Sequence, residues 1–264
     1  MKNRKSLKAG IIQFDVKLGD IASNIDTASE GIEFLGSKNA DMALLPEMWS
    51  CSFDNERLGD HAGETPAILE KLSRAAVGNN IIIAGSLPEA SGGDIFNTLY
   101  VIDKDGSLAG SYRKVHRFSL TEENNYFSAG TRNVVCETSV GPVGLMICYD
   151  LRFPELCRSL ALKGALVVIV PAQWPLVRVR HWNALLQARA IENQLFMVAA
   201  NRCGDESDLK FGGHSQIVSP LGNVLAGTGP QPDTFCAELD FQELEEYRKT
   251  IPCLEERMPD AYRI

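Results

Sequence analysis

The sequence predicts an α/β protein with mixed sheets. Short apolar runs bounded by turn-forming residues alternate along the chain with segments of helical periodicity, which is typical of layered strands and helices. Two further segments read as β-hairpins, which place antiparallel neighbours in the sheets. No linker, low-complexity stretch or internal repeat divides the 264 residues. We therefore expect one domain over residues 1–264.

The first half of the chain contains three predicted strands, two helices and a hairpin. The apolar run at 9–16 is typical of a strand, and Asn24 or Asp26 can cap the helix that follows. The next elements are a buried strand at 41–45 that ends at Pro46, a helix from Thr65 to Gly78, a strand at 81–85, and a hairpin with arms 96–102 and 108–112 around the Asp-Gly turn at 105–106.

The second half continues the alternation after a polar loop at 119–130. Its predicted elements are strands at 134–137 and 143–147, a helix at 154–163, a strand at 165–170 that ends at Pro171, a helix at 181–192, a strand at 195–200, a polar loop at 204–210, a hairpin with arms 213–218 and 223–227, a strand at 235–239 and an amphipathic helix at 241–250. The tail at 251–264 reads as irregular.

Composition excludes several classes of function. The formal charge of −8 favours neither nucleic acid nor an anionic membrane as a partner. No run reaches the roughly 18 apolar residues that a membrane helix needs, and the basic amino terminus leads into no long apolar segment, so it is not a secretory signal. The seven cysteines are odd in number and scattered, which favours free thiols in a reducing compartment. We expect a cytoplasmic protein.

Cys148 is the first candidate for chemistry. The predicted strand at 143–147 ends at this cysteine, and Arg-Phe-Pro-Glu at 152–155 opens the next helix. A turn of this kind aims the free N–H groups of the helix at the sulfur, which favours the nucleophilic thiolate. The alternative is that Cys148 is one more buried cysteine, since free cysteine packs well as a small hydrophobic residue.

Glu47 and Lys114 also lie just beyond predicted strands, where layered α/β folds form their sites. A cysteine nucleophile needs a base to take its proton, and burial raises the pKa of a glutamate toward that task. An ammonium group can stabilise the oxyanion of an acyl transfer. Taken singly, Glu47 is better explained as a solvated turn residue, and Lys114 as part of a solvated basic face.

Three motifs resemble the signature motifs of the nitrilase superfamily of carbon–nitrogen hydrolases. They are Leu-Leu-Pro-Glu-Met at 44–48, Tyr-Arg-Lys-Val-His at 112–116 and Gly-Leu-Met-Ile-Cys-Tyr-Asp-Leu-Arg-Phe-Pro-Glu at 144–155, in the family's order. The resemblance implies an α-β-β-α sandwich with mixed sheets, in which sandwiches pack into four layers. It also implies a homodimer or larger homo-oligomer, with about 241–264 as an extension at the subunit interface, and no metal or organic cofactor.

The resemblance implies a role for each residue of the motifs. Cys148 would be the nucleophile and Glu47 the general base, while Lys114 and the backbone N–H of Tyr149 would hold the oxyanion. Glu123 matches the position of a second active-site glutamate in the family, and its neighbour Glu122 is the rival for that position.

Further features resemble the ω-amidase branch of the family, whose members act on amides of dicarboxylates such as 2-oxoglutaramate. They are Trp-Pro at 174–175, Arg178, His-Trp at 181–182, the segment 187–194 and Asn-Arg at 201–202. A substrate carboxylate would need a positive partner, and Arg178 is the first candidate, before Arg152 and Arg202. Trp174 either lines the pocket or closes a strand end.

The sequence therefore predicts an enzyme that hydrolyses the amide bond of a small carboxylate-bearing molecule through a cysteine thioester and releases ammonia. Within the enzyme class, an N-carbamoyl hydrolase or a deaminated-glutathione amidase is the alternative. Outside it, the alternative is a catalytically silent member of the fold that serves as a binding module.

Overall fold

Two six-stranded mixed sheets build the described part of the chain, which is residues 5–262 of a computed structural model. The ends of the predicted domain, residues 1–4 and 263–264, lie outside the described residues. The strands are β1 (Ser6–Gln13), β2 (Met42–Leu44), β3 (Ile82–Ser91), β4 (Asp94–Ile102), β5 (Leu108–Arg113), β6 (Val135–Thr138), β7 (Gly141–Leu145), β8 (Val167–Ala172), β9 (Phe196–Asn201), β10 (Cys203–Glu206), β11 (Leu209–Gly212), β12 (Gln216–Val218), β13 (Val224–Gly227) and β14 (Asp233–Asp240). The helices are α1 (Ile21–Ser37), α2 (Leu58–Asn79), α3 (Glu123–Tyr126), α4 (Pro154–Leu162), α5 (Val179–Asn193) and α6 (Phe241–Thr250).

The two sheets share one strand arrangement. The first has the order β14-β1-β2-β3-β4-β5 and the second β13-β12-β9-β8-β7-β6. In each sheet three consecutive strands are parallel, β1-β2-β3 and β7-β8-β9, and the outer strands are antiparallel. The predicted α/β class with mixed sheets is confirmed.

Side chains that alternate along the strands produce the layers. In β1, Leu7, Ala9 and Ile11 face the second sheet, whereas Ile12 packs with α1 and α2 on the outer face. Helices α4 and α5 cover the opposite face of the second sheet, where Leu160 and Leu186 join its core. The chain is therefore an α-β-β-α sandwich.

Two helices begin earlier than the sequence pattern predicts. Asp20, rather than Asn24 or Asp26, caps α1, because its side chain accepts the N–H of Ser23. The side chain of Asn24 instead bonds backbone groups of Lys17 and Ser50. Local sequence therefore identifies the cap region but not the residue that occupies it.

Helix α2 begins at Leu58, not at Thr65. Pro66 lies inside it, although a proline normally marks a helix start. Leu58 and Ala62 are buried on the same helix as Ile68, so tertiary packing carries the helix through the proline.

Two strand predictions also need correction. Strand β8 does not end at Pro171 but continues to Ala172. Its pairing with β7 ends at Ile169, so Pro171 pairs only with β9, and its missing N–H leaves no hydrogen bond of the sheet unmade on the other side. The predicted polar loop at 204–210 is the hairpin β10–β11, in which Cys203 pairs with Gly212. The loop at 119–130 contains α3.

Both predicted hairpins and the helix α6 are confirmed. The carboxyl ends of β2, β5, β7, β8 and β9 lie at one end of the sandwich, where the segments that follow them come together. Over the part of the chain that the structure describes, no helix is both long enough and apolar enough to cross a membrane.

Candidate active site

Glu47, Lys114 and Cys148 meet at this end of the sandwich. They follow β2, β5 and β7, and Glu47 and Cys148 also interact directly through their side chains. The ammonium Nζ of Lys114 donates to Oε1 of Glu47 at 2.8 Å and to Oε1 of Glu123 at 2.6 Å. The side chains of Lys114, Glu47 and Glu123 are at most 3% exposed. We call Glu47, Lys114, Glu123 and Cys148 the floor of the site.

Glu123, not Glu122, is the second glutamate of this cluster. Its Oε2 accepts the backbone N–H of Phe118 while Oε1 accepts from Lys114, so both oxygens are engaged. Glu122 has a φ of 58° and is exposed to solvent at the edge of the pocket. The short helix α3, which begins at Glu123, turns that side chain inward.

Cys148 occupies a strained turn between β7 and α4. Its φ of 47° lies in the left-handed region, which costs a non-glycine residue of order 1 kcal/mol or more and is found where a side chain must be held in place. A single-turn helix, Cys148–Arg152, follows directly.

The buried carboxylate of Asp150 supports this turn. It accepts the N–H of Ile147 at 2.9 Å, the hydroxyl of Tyr112 at 2.7 Å, and both the N–H and ring Nδ1 of His116, at 3.0 and 2.8 Å. The turn that carries Cys148 is therefore tied to the strand that carries Lys114.

The pKa of the Cys148 thiol lies above its ordinary value, although a helix amino terminus by itself favours the thiolate. Burial raises its pKa well above the usual range, the negative charge of Glu47 adds to the rise, and Lys114 only partly opposes them. The backbone N–H of Gln173 also donates to the sulfur. Use of this sulfur as a nucleophile requires a partner that takes its proton.

Glu47 is the nearest such partner. Burial raises its pKa above the ordinary value of 4.5; the positive charge of Lys114 lowers it, and Glu123 raises it further. For Lys114 itself, burial disfavours the charged form, but the carboxylates of Glu47 and Glu123 outweigh that cost and hold its pKa well above 10.5. Lys114 therefore stays charged beside a carboxylate that is poised to accept a proton.

Two residues that sequence reasoning did not select hold Glu47. Oε1 accepts Nδ2 of Asn97 at 2.8 Å, and Oε2 accepts the backbone N–H of Gln173 at 2.9 Å. The amide side chain of Gln173 also donates to the carbonyl of Glu47 at 2.9 Å. The sequence offered one signal for Gln173, since it follows the buried strand β8 as Glu47 follows β2.

A cavity of about 430 Å³ opens above the floor, within the size range of small-molecule sites. Arg152, Trp174 and Arg178 line it and form what we call the mouth. The guanidinium of Arg152 lies 4.7 Å from the ring centre of Trp174, and that of Arg178 lies 5.7 Å from the ring of Phe118. Trp174 therefore lines the pocket, and its Nε1 donates to the carbonyl of Arg178 at 2.9 Å.

Tyr149 also lines the cavity, with its ring centre 4.8 Å from that of Phe118. Arg202, the third arginine considered for a substrate carboxylate, is not among the lining residues. It is fully buried, and its guanidinium binds Asp15 and Glu206 at 3.0 and 2.8 Å. The structure therefore removes Arg202 from the candidates for substrate contact.

The hairpin β10–β11 forms one wall of the cavity. It contributes Glu206, Leu209 and Phe211, none of which sequence reasoning selected because their segment read as a polar loop. Within residues 5–262, no group of three or more His, Cys, Asp and Glu side chains is arranged to hold a metal ion.

The chain is similar to known proteins over almost its whole described length. The carbon-nitrogen hydrolase family model matches residues 8–249. A 2-oxoglutaramate amidase from Bacillus subtilis (strain 168) is 40% identical over 253 residues, 95% of this chain and 97% of that protein. A carbon-nitrogen hydrolase from Helicobacter pylori G27 superposes with a TM-score of 0.93 at 29% identity, over 98% of this chain and 97% of that one.

A mutant amidase from Nesterenkonia sp. AN1 superposes with a TM-score of 0.88 at 26% identity, over 99% of this chain and 97% of that one. That structure carries the acetamide moiety of fluoroacetamide, added covalently at its active-site cysteine.

Proposed function

Because the chain belongs to the carbon–nitrogen hydrolase family and hydrolyses an amide carbon–nitrogen bond, we propose that it is an ω-amidase acting on small amides that carry a carboxylate. Cys148 is the nucleophile, Glu47 the general base and Lys114 the oxyanion partner. The observation that carries this assignment is Lys114 held between two buried carboxylates beside the buried thiol of Cys148.

In the first step the sulfur of Cys148 attacks the amide carbon while Glu47 takes the thiol proton. The carbonyl oxygen becomes an oxyanion, which Lys114 and the backbone N–H of Tyr149 stabilise. Glu47 then passes its proton to the amide nitrogen, the carbon–nitrogen bond breaks, and ammonia leaves a thioester on Cys148.

In the second step Glu47 takes a proton from water as the water oxygen attacks the thioester carbon. The same oxyanion partners serve again. The carbon–sulfur bond then breaks, the proton returns to the sulfur, and the carboxylic acid product leaves. Glu123 keeps Lys114 in place through both steps, since its two carboxylate oxygens accept from Nζ of Lys114 and from the backbone N–H of Phe118.

The mouth supplies the recognition of the substrate carboxylate. Arg178 is its first partner and Arg152 its second, since both guanidinium groups line the cavity and neither forms an ion pair with a carboxylate among the described residues. Trp174 packs beside them as a rigid wall. The name of the Bacillus subtilis relative supports 2-oxoglutaramate as the first substrate to test. N-carbamoyl hydrolysis, deaminated-glutathione hydrolysis and a silent binding role have no comparable support among the named relatives.

The enzyme is proposed to work in the cytoplasm as a homodimer or larger homo-oligomer, with about 241–264 at the interface. All seven cysteines are free thiols, which supports a reducing compartment. Exposed apolar side chains at Ile191, Leu221 and Ile251 support a contact surface beside the carboxyl-terminal segment. Light scattering of the purified chain measures the mass that tests this assembly.

Ammonia release from 2-oxoglutaramate, succinamate and deaminated glutathione tests the function, with the wild type and Cys148→Ala in parallel. We expect turnover of the first two by the wild type and none by Cys148→Ala. Preference for deaminated glutathione would overturn the substrate assignment, and activity that survives in Cys148→Ala would overturn the mechanism.

A further inference from the structure

Arg202 is a buried cation that the proposed reaction does not use. It follows β9 and is fully inaccessible to solvent. One guanidinium nitrogen, Nη2, donates to Asp15 at 3.0 Å and to the carbonyl of Val16 at 2.7 Å, beyond the end of β1. The other, Nη1, points to the opposite side, toward the floor.

On that side Nη1 reaches three groups. It donates to Oγ of Ser52 at 2.9 Å, to Oε1 of Gln173 at 3.1 Å and to Oε2 of Glu206 at 2.8 Å. The hydroxyl of Ser52 itself lies 2.7 Å from the same oxygen of Glu206 and 3.2 Å from Oε1 of Gln173. Arg202 and Ser52 therefore hold the oxygen end of the Gln173 amide from two directions.

The other end of the same amide holds Glu47. Nε2 of Gln173 donates to the Glu47 carbonyl at 2.9 Å, and the backbone N–H of Gln173 donates to the Glu47 carboxylate at 2.9 Å. With Oε1 fixed by Arg202, the amide cannot turn without breaking the bond to Glu47. Two hydrogen bonds thus lie between the Arg202 guanidinium and the main chain of Glu47.

A second connection runs to the pocket wall. Glu206 lies on β10 and lines the cavity, and Phe211 on β11 packs with its ring centre 4.1 Å from the Arg202 guanidinium. The hairpin β10–β11 is therefore held by an ion pair and by a cation–ring contact to one side chain.

We propose that Arg202 is a positioning residue. By holding the side chain of Gln173 it fixes the main chain of Glu47, which carries the carboxylate beside Cys148. Through Glu206 it fixes the hairpin wall to the same point. This inference rests on the proposed function in one respect only, the role of Glu47 as the base for Cys148.

The test compares the two sides of the guanidinium. Arg202→Lys keeps a positive charge but replaces the two guanidinium nitrogens Nη1 and Nη2 with a single ammonium group. Ser52→Ala removes a hydroxyl that binds Gln173, and Ser52 does not line the cavity. Asp15→Asn is the matched control, because it weakens the Nη2 side and leaves every Nη1 contact in place. Melting temperature and circular dichroism establish that each variant is folded.

We expect Arg202→Lys to lower kcat by about 10- to 100-fold with a smaller change in KM, because a displaced base loses the reaction geometry. The acid limb of the kcat/KM profile moves to higher pH, because a shift of Gln173 lengthens the hydrogen bond from its backbone N–H to the Glu47 carboxylate, and a carboxylate with a weaker donor is protonated more easily. Ser52→Ala shifts kcat and the acid limb in the same directions, but by less than Arg202→Lys does. Asp15→Asn keeps kcat within about threefold and keeps the limb of the wild type.

The inference is overturned if folded Arg202→Lys keeps the kcat and the acid limb of the wild type. If Arg202→Lys does not fold, the same result for folded Ser52→Ala overturns it. It is also overturned if Asp15→Asn moves both as far, since the arginine would then act only on stability. The rate at which iodoacetamide alkylates Cys148, followed over pH, repeats the comparison without an amide substrate. If the wild type releases no ammonia, the proposed function fails, and the alkylation series still decides the role of Arg202.

Discussion

The floor and the mouth of the pocket differ in how their charged side chains are paired. On the floor, Lys114, Glu47 and Glu123 are buried and share short ion pairs, and burial together with neighbouring charge displaces the pKa values of Glu47, Lys114 and Cys148. At the mouth, Arg152 and Arg178 rest against aromatic rings. The floor groups satisfy one another, whereas the mouth groups keep their charge available.

The difference suits the floor to the chemical step and the mouth to the choice of substrate. A buried ion-pair cluster tolerates little change, since removal of one partner leaves an unpaired buried charge and costs about 3–5 kcal/mol. A partly exposed arginine on a ring can be replaced at much lower cost. The floor is therefore expected to determine kcat, and the mouth to determine which amide is bound.

Glu47→Gln should show the largest effect. The amide keeps the shape of the side chain but cannot take the thiol proton, so kcat/KM for ammonia release should fall by about 10²–10⁴-fold. Glu122→Gln is the matched control, because Glu122 lines the cavity edge without touching Lys114, and it should stay within about threefold. Equal losses in the two variants would contradict the division between floor and mouth.

The pH profile should show the next largest effect. Glu47 must be ionised to accept a proton, so kcat/KM should fall about tenfold per pH unit below its pKa, with a midpoint above the ordinary 4.5 because burial raises that pKa. Lys114 should cause no loss up to about pH 10, since its pKa lies well above 10.5. An acid limb at or below pH 4.5 would count against Glu47 as the base.

Arg178→Met should affect binding rather than chemistry. Loss of a charge-assisted hydrogen bond of about 1.5–3 kcal/mol should raise KM for 2-oxoglutaramate about 10- to 100-fold, with kcat and the acid limb unchanged. Arg180→Met, two residues further on and exposed, is the control, and a neutral amide should be hydrolysed equally by all three proteins. A fall in kcat with constant KM would place Arg178 on the chemical step instead.

Tyr112→Phe should have the smallest effect on activity and a measurable one on stability. The hydroxyl donates to the buried carboxylate of Asp150, which keeps three other donors, so its loss should lower the free energy of unfolding by about 1–3 kcal/mol. Denaturant unfolding measures this value, with Tyr126→Phe, which is largely exposed, as the control. No change relative to that control would show that Asp150 does not need the tyrosine.

The sequence predicts the floor far better than its surroundings. Glu47, Lys114 and Cys148 each follow a strand that the sequence predicts, and their motifs indicate the family. Asn97 carries no such mark, and Gln173 follows a buried strand but belongs to none of the three motifs. Their role depends on which strands become neighbours in the two sheets. The same holds for Arg202, whose partners lie up to 187 residues away.

The errors in the fold have related causes. The sequence does not predict the hairpin β10–β11, because its strands have four residues each and their buried residues do not alternate as in a half-buried strand. The predicted helix start at Thr65 and the predicted strand end at Pro171 rest on local sequence, which tertiary packing overrides. The hairpin turn at Gly106, by contrast, is predicted correctly. Its φ of 84° favours glycine whatever the rest of the fold, so the local sequence is enough to identify the turn.

The ion pairs of Lys114 have a consequence for how the enzyme responds to salt. Two carboxylates and one ammonium give the sealed cluster one negative charge in excess. When the thiol proton moves to Glu47, the charge that Glu47 loses reappears on the substrate oxygen, so the cavity neither gains nor loses charge through the cycle. Ionic strength should therefore leave kcat almost unchanged, while the capture of an anionic substrate at the partly exposed mouth weakens as salt screens it.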